Sequence, residues 1–219
     1  MSSTQAGSWE QGRERALVAS NNAHKLQELR EIFAEAGAPV DLIAPRDLDL
    51  DLEPDETAES YAGNARLKAR AFAEALRAAA PGTGLWVMAD DSGLEVDALQ
   101  GAPGILSSRY HRQAPGGDGS ARLLRALDGV PDERRTARFR AVIVLIDPSG
   151  GEHVFEGACE GRIGWEKRGS GGFGFDPVFV VGGGSRMMAE LTPAEKHRIS
   201  HRGIAARRVA EFMSRNFFR

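Results

Sequence analysis

The chain has 219 residues and a formal net charge of −3, which argues against a nucleic-acid binder held by a broad basic face and allows one sizeable core. Its single cysteine, Cys159, excludes an intramolecular disulfide and fits a reducing cytoplasm. No stretch approaches the ~20 apolar residues that span a bilayer, and residues 1–14 are polar, lack the apolar segment of a signal peptide and are read as a mobile tail outside the fold.

Ala16 to Ala19 predicts a short buried strand. Leu26, Leu29, Ile32, Phe33 and Ala36 then recur at helical spacing, and Gly37 supplies a stop. Pro39 to Ala44 reads as a second strand, followed by the acidic stretch "RDLDLDLEPDETAES". Tyr61 to Ala80 predicts a helix, and Leu85 to Ala89 a strand that runs straight into "DDSGLEVDAL". Residues 101–119, rich in glycine and proline, are expected to be loop, with a short helix from Ala121 to Leu127. "ARFRAVIVLIDPSGGEHVFEGACEG" predicts an antiparallel hairpin. A glycine-rich loop enters one more strand, and "TPAE" signals a helix start by a capping threonine, a proline and a glutamate. The last helix buries Ile204, Ala205, Val209, Phe212 and Met213 on one face. Strands that alternate with helices before a hairpin intrudes predict an α/β domain with a mixed sheet, residues 15–219 forming one domain.

Four segments concentrate polar chemistry. In "SNNAHK", Ser20, Asn21, Asn22 and Lys25 stand where a strand hands over to a helix, whose free N–H groups and partial positive charge attract anions; the plainer reading is that Asn22 caps the helix and Lys25 is solvated. Only four of the 28 basic residues are lysine, so each draws notice, although Lys167 and Lys68 read as chance. Asp90 and Asp91 follow an apolar strand, where open α/β sheets place ligands. Neighbouring strand side chains point to opposite faces, so the two should not share one task; Ser92 and Gly93 suggest a tight turn, and a capped, charged turn is the plain alternative. In "GSGGFGFDPVF", glycines let a backbone approach a flat ligand, Phe173 offers a face for stacking, and Asp176 can accept from a ring N–H, unless the phenylalanines simply plug the core. Lys196, His197, Arg198, His201 and Arg202 crowd a junction near the C-terminus. His197 and His201 are four apart, but no third ligand of suitable spacing accompanies them, and a cationic and imidazole site for phosphate or a purine carbonyl is preferred over zinc.

Taken together, "SNNAHKLQEL", "DETAESYAGNARLKA", "ADDSGLEVDALQGAPGILSSRY", "GGFGFDPVF" and "AELTPAEKHRISHRG" resemble, in this order, the inosine triphosphate pyrophosphatases (the HAM1-like family), which act on non-standard purine nucleotides. The resemblance covers residues 16–215. It implies an elongated mixed β-sheet flanked by helices, two lobes with a cleft between them, and a homodimer. The implied reaction is Mg²⁺-dependent hydrolysis of ITP, dITP or XTP to the monophosphate and pyrophosphate. Carried over by position, Ser20, Asn21, Asn22 and Lys25 cradle the triphosphate, and Asp91 binds the metal and acts as general base. Glu56 is the second acidic ligand, with Asp55 as fallback. Ser92 helps hold the substrate, and Phe173 stacks on the base. Gly174, Phe175 and Asp176 line the base pocket, and Lys196, His201 and Arg202 contact base and phosphates. The chain departs from the family's pattern at Phe175, where tyrosine is usual, at Ala58, where glycine is usual, and at Gly63, where glutamate is usual. Two rival readings are a Maf-like pyrophosphatase for pyrimidine or methylated nucleotides and a non-catalytic nucleotide sensor. Neither nucleic acid nor a membrane is an expected partner.

Overall fold

The computed structural model describes residues 14–216. Six strands form one mixed sheet in the order β2-β1-β3-β4-β5-β6. Strand β1 (Glu14–Val18) lies parallel to β2 (Val40–Ile43) and to β3 (Trp86–Val96). Beyond β3 every pairing is antiparallel, through β4 (Thr136–Ile146), β5 (Glu152–Ile163) and β6 (Phe179–Val181). Strand β1 begins two residues before the predicted start, inside the predicted tail, because Glu14 is already in register with Val40. The rest of that tail, residues 1–13, lies outside the described residues.

The run "AVIVLI" is apolar throughout because both faces of β4 are covered. Ala141, Ile143 and Leu145 pack on one face with α1 (Ala23–Glu35) and α6 (His201–Asn216). Val144 and Ile146 pack on the other with α2 (Tyr61–Ala79). Each large side chain so buried contributes roughly 1.5–3 kcal/mol. A third apolar cluster, which includes Leu94, Val96, Phe139, Ile163 and Phe179, sits at the far end of the same strands. Residues 90–93 of β3 therefore fall between the clusters, where the core is interrupted and polar side chains gather.

Two expectations change. "DDSG" is not a turn: β3 continues through it, with Asp90 to Gly93 paired one by one to Ile143, Val142, Ala141 and Arg140 of β4. Glycine stands at 93 because a Cβ there would lie 2.2 Å from the carbonyl oxygen of Gly104. Residues 101–119 are not all loop: Ser107–Arg112 forms a short helix, α3, ahead of α4 (Gly119–Ala126). Glycine and proline flank the stretch 105–114 but are absent from it.

Helix ends follow the local chemistry. Asn22 caps α1 by accepting from the backbone N–H of His24 and Lys25, and Ser60 caps α2 through Gly63. Thr192, Pro193 and Glu195 start α5 (Pro193–Ile199) with the reciprocal capping pair expected. Extended backbone at Ser200 separates α5 from α6, so His197 and His201 do not share a helix face. His197 lies against Glu31 and Glu35, and His201 stacks on Phe139 at 4.7 Å. Among the described residues no group of three or more His, Cys, Asp or Glu is arranged to hold a metal, and no helix is long and apolar enough to cross a membrane.

Candidate active site

Between the clusters opens a cavity of about 840 Å³. Ser20, Asn21, Asn22 and Lys25 line it from the β1–α1 junction, Asp55 and Glu56 from the acidic segment, and Asp91 and Ser92 from β3. Phe173, Gly174 and Phe175 close another side, with His201 and Arg202 from the start of α6. Of the residues that the resemblance assigns to the site, Asp176 and Lys196 do not line the cavity but are joined directly behind Phe173.

The β1–α1 junction is partly self-satisfied. Asn22 Oδ1 takes two of the free N–H groups of α1, and Ser20 Oγ accepts from the Asn22 N–H at 3.2 Å. The capping reading of Asn22 therefore holds alongside its place in the cavity wall. Asn21 Nδ2 donates to the Leu52 carbonyl at 3.0 Å, tying the junction to the acidic segment. Lys25 is not solvated: it reaches across to Asp90, 3.3 Å from both its carbonyl and its Oδ2. Burial lowers the Lys25 pKa, with Asp90 opposing.

Lys68, on α2, is a residue that sequence reasoning passed over as chance. Its Nζ lies 2.8 Å from Asp91 Oδ1, 2.9 Å from Glu56 Oε1 and 3.0 Å from the Asp90 carbonyl. Burial would lower its pKa, but Asp91 and Glu56 outweigh that and raise it. Lys68 thus stays charged between the two carboxylates assigned to a metal. The available signals were its rarity as a lysine and its place inside a matched stretch.

Asp91 is buried and its pKa is raised, burial outweighing the pull of Lys68. Its Oδ2 has no hydrogen-bond partner. Glu56 moves the other way: burial would raise it, but the hydrogen bond and charge of Lys68 bring it down. A buried carboxylate oxygen without a donor, facing a second ionised carboxylate, suits a hard divalent cation that takes further ligands from water and phosphate. Two carboxylates alone do not enclose such an ion.

Behind the other wall runs a chain of alternating charge. Asp90 Oδ2 accepts from Arg202 Nε at 2.8 Å, and Arg202 Nη1 donates to Glu28 Oε2 at 2.7 Å. Glu28 also meets Lys196, whose Nζ lies 2.7 Å from Asp176 Oδ2. That same oxygen accepts from the Phe173 backbone N–H at 2.8 Å. Arg202 Nη2 donates to Ser92 Oγ at 2.9 Å. The network joins the strand that carries Asp91 to the loop that carries Phe173. The Phe173 ring has Lys196 and Arg202 within 5.4 Å and is stacked by the exposed His24 at 5.5 Å. Phe175 is buried against His111, ring centroids 4.1 Å apart. Burial pushes the His201 pKa well below its ordinary value, so its ring is neutral, and its buried Nδ1 has no partner.

Ala58 and Gly63 are sterically matched. A Cβ on Gly63 would lie 2.5 Å from the Ala58 methyl. The methyl at 58 fills the space that a side chain at 63 needs, so alanine at one position goes with glycine at the other.

A sequence profile of the Ham1 family matches residues 16–212. The dITP/XTP pyrophosphatase of Nocardia farcinica is 47% identical over 89% of this chain and 92% of its own length. That of Desulforamulus reducens is 43% identical over 91% and 95%. Among solved structures, a HAM1 protein from Coxiella burnetii superposes with a TM-score of 0.75 at 36% identity, over 92% of this chain and 99% of that one. A nucleoside-triphosphatase (dITP/XTP pyrophosphatase) from Mycobacterium abscessus gives 0.66 at 42% identity, over 91% and 98%. With sequence and fold agreeing across nearly the whole described chain, this protein belongs to the Ham1 family.

Proposed function

We propose that the protein hydrolyses non-standard purine nucleoside triphosphates (ITP, dITP and XTP) to the monophosphate and pyrophosphate, with Mg²⁺, removing them from the nucleotide pool. The observation that carries this reading is the convergence of Lys25, Lys68, Glu56 and Asp91 with Phe173, Gly174 and Phe175 on one cavity. One side can meet a polyanion and the other a flat ring. The names of the related dITP/XTP pyrophosphatases support the substrate class.

In this reading Asp91 and Glu56 hold the ion. When bound, Mg²⁺ offsets the repulsion between carboxylates and phosphates and polarises the phosphate oxygens. Asp91, which lines the cavity with one carboxylate oxygen free of hydrogen-bond partners, takes the proton of the water that attacks the α-phosphorus. The bond to the bridging oxygen breaks, and pyrophosphate leaves against Lys25, Lys68 and the polar groups of Ser20, Asn21 and Asn22. Ser92, held by Arg202, faces the substrate beside Asp91. Phe173 stacks on the base, Gly174 and Phe175 wall its pocket, and neutral His201 contacts it. Asp176, Lys196 and Arg202 fix that wall and set its polarity. Selectivity follows from a pocket that rewards the 6-oxo group and leaves a 2-amino group unpaired. The two-lobed arrangement, a homodimer and a cytoplasmic location belong to the same reading.

The test is a Mg²⁺ titration of pyrophosphate release from ITP, XTP, GTP, dUTP and methylated UTP. The expected result is ITP turned over at least ~10-fold faster than GTP per unit concentration, about 1.4 kcal/mol of transition-state discrimination. Preference for the pyrimidines would replace this reading with the Maf-like one, and tight binding without hydrolysis would replace it with a sensor.

A further inference from the structure

Arg109 lies on α3 and reaches back to the acidic segment, where its Nη2 donates to the carbonyl oxygen of Glu56 at 2.6 Å. Residues 49–60 contain no helix or strand, so no ladder of backbone hydrogen bonds fixes where Glu56 stands. Side chains from elsewhere do that work. Asn21 Nδ2 holds the Leu52 carbonyl at 3.0 Å, and Asn64 Oδ1 holds the Ala58 N–H at 2.9 Å. These anchor the segment on either side of Glu56, whereas Arg109 anchors the backbone of Glu56 itself. Lys68 also touches Glu56, but through its carboxylate, the group that must be released to an incoming cation.

Space lies on both sides of the segment. A second cavity of about 330 Å³ adjoins the first, and Asp55, Glu56, Ile105 and Arg109 line both. Glu56 therefore stands on a thin partition. Removing the guanidinium leaves its carbonyl without that donor and lets the segment relax into the smaller cavity, away from Asp91.

We propose that Arg109 is a positioning residue: by holding the Glu56 carbonyl it keeps the acidic segment against the main cavity, so that the Glu56 carboxylate meets a divalent ion together with Asp91. This rests on the assignment of Glu56 and Asp91 to a shared ion. A guanidinium suits the task because it is always charged and its donors are rigidly placed.

The experiment follows Mn²⁺ binding to the full chain through loss of the free-ion electron paramagnetic resonance signal, without nucleotide. Parent, Arg109→Ala, Arg109→Lys, Glu56→Gln and the Arg109→Ala/Glu56→Gln double variant are compared, with melting temperatures recorded alongside. Arg109→Ala is expected to weaken Mn²⁺ binding about tenfold, and Arg109→Lys, which retains an N–H donor, to recover part of that loss. In the double variant, Arg109→Ala is expected to cost nothing beyond Glu56→Gln, because the two act as one unit. Unchanged binding in Arg109→Ala, or a further tenfold loss on the Glu56→Gln background, overturns the proposal. If Arg109→Ala does not fold, Arg109→Lys takes its place in the cycle, where non-additivity supports the role and additivity overturns it. A parent chain that binds no Mn²⁺ removes the shared ion and this role with it; a parent that binds, with additive variants, removes the role alone.

Discussion

Asp90 and Asp91 are neighbours on one strand, yet the two faces of β3 put them to opposite use. Asp90 turns toward α1 and α6, almost wholly buried, with Arg202 and Lys25 at 2.8 and 3.3 Å. Burial would raise its pKa, but those cations outweigh it and hold the carboxyl well below the usual range. Asp91 turns toward α2 and the cavity. There burial wins over Lys68, and the pKa rises. Each retains one buried oxygen without a hydrogen-bond partner, but only Asp91 lines the cavity. A carboxylate gripped by two cations away from the cavity is a structural member; one that is partly countered and reachable is reactive.

The largest expected effect breaks the structural side of that pair. Asp90→Asn leaves Arg202 and Lys25 facing a neutral amide, and breaking a buried pair in this way costs about 3–5 kcal/mol. Urea unfolding should show the loss. A change below about 1 kcal/mol, within what exposed ion pairs contribute, would mean that Asp90 is not a structural member.

The next effect concerns the base. Phe173→Ala is expected to raise KM for ITP about tenfold, in keeping with stacking contributions of about 1–3 kcal/mol. Steady-state kinetics checks this, and an unchanged KM removes Phe173 from base stacking.

Lys68→Met sharpens the reactive side through pH. Asp91 must be ionised to accept a proton, and removing the adjacent cation favours its protonated form, so its pKa climbs further. The acid limb of the kcat/KM profile is expected to move to higher pH, since a close positive charge favours the ionised carboxyl and its loss favours the protonated one. A limb that stays in place or moves to lower pH contradicts the contact between Lys68 and Asp91.

The smallest effect lies far from the site, in the β4–β5 turn. Burial would raise the Asp147 pKa, but hydrogen bonds from Ser149, His153 and Gly151 outweigh this and bring it from 3.8 to about 2. A folded-state value below the unfolded one adds stability at neutral pH that is lost as pH falls. Asp147→Asn should therefore be less stable than the parent at pH 7, and the gap should close between about pH 4 and pH 2. Melting curves across that range check the sign.

Most elements were legible in the sequence because their signals are local. Helical spacing found α1 and α6, the capping pair at Thr192 and Glu195 found α5, and the alternation of strand side chains separated Asp90 from Asp91. What escaped depends on distant partners. "DDSG" reads as a turn until β4 is laid against it, and the pairing of residues 90–93 with 140–143 holds it extended. Lys68 reads as a chance lysine because its carboxylate partners lie 12 and 23 residues away in sequence. Glu28 escaped for the same reason: its cationic partners lie 168 and 174 residues away. Family resemblance supplied the names of fewer than half of the lining residues, and not the charge network behind them.

The central claim is that Asp91 is the reactive carboxylate of this pair. Its most direct test is pyrophosphate release from ITP and Mg²⁺ by Asp91→Asn, with the melting temperature of the same preparation. A loss of about 10³ in turnover, within the usual range for general-base catalysis, with melting unchanged to within a few degrees, is the result predicted. Turnover within a factor of about 3 of the parent, too small for a general base, would contradict the account.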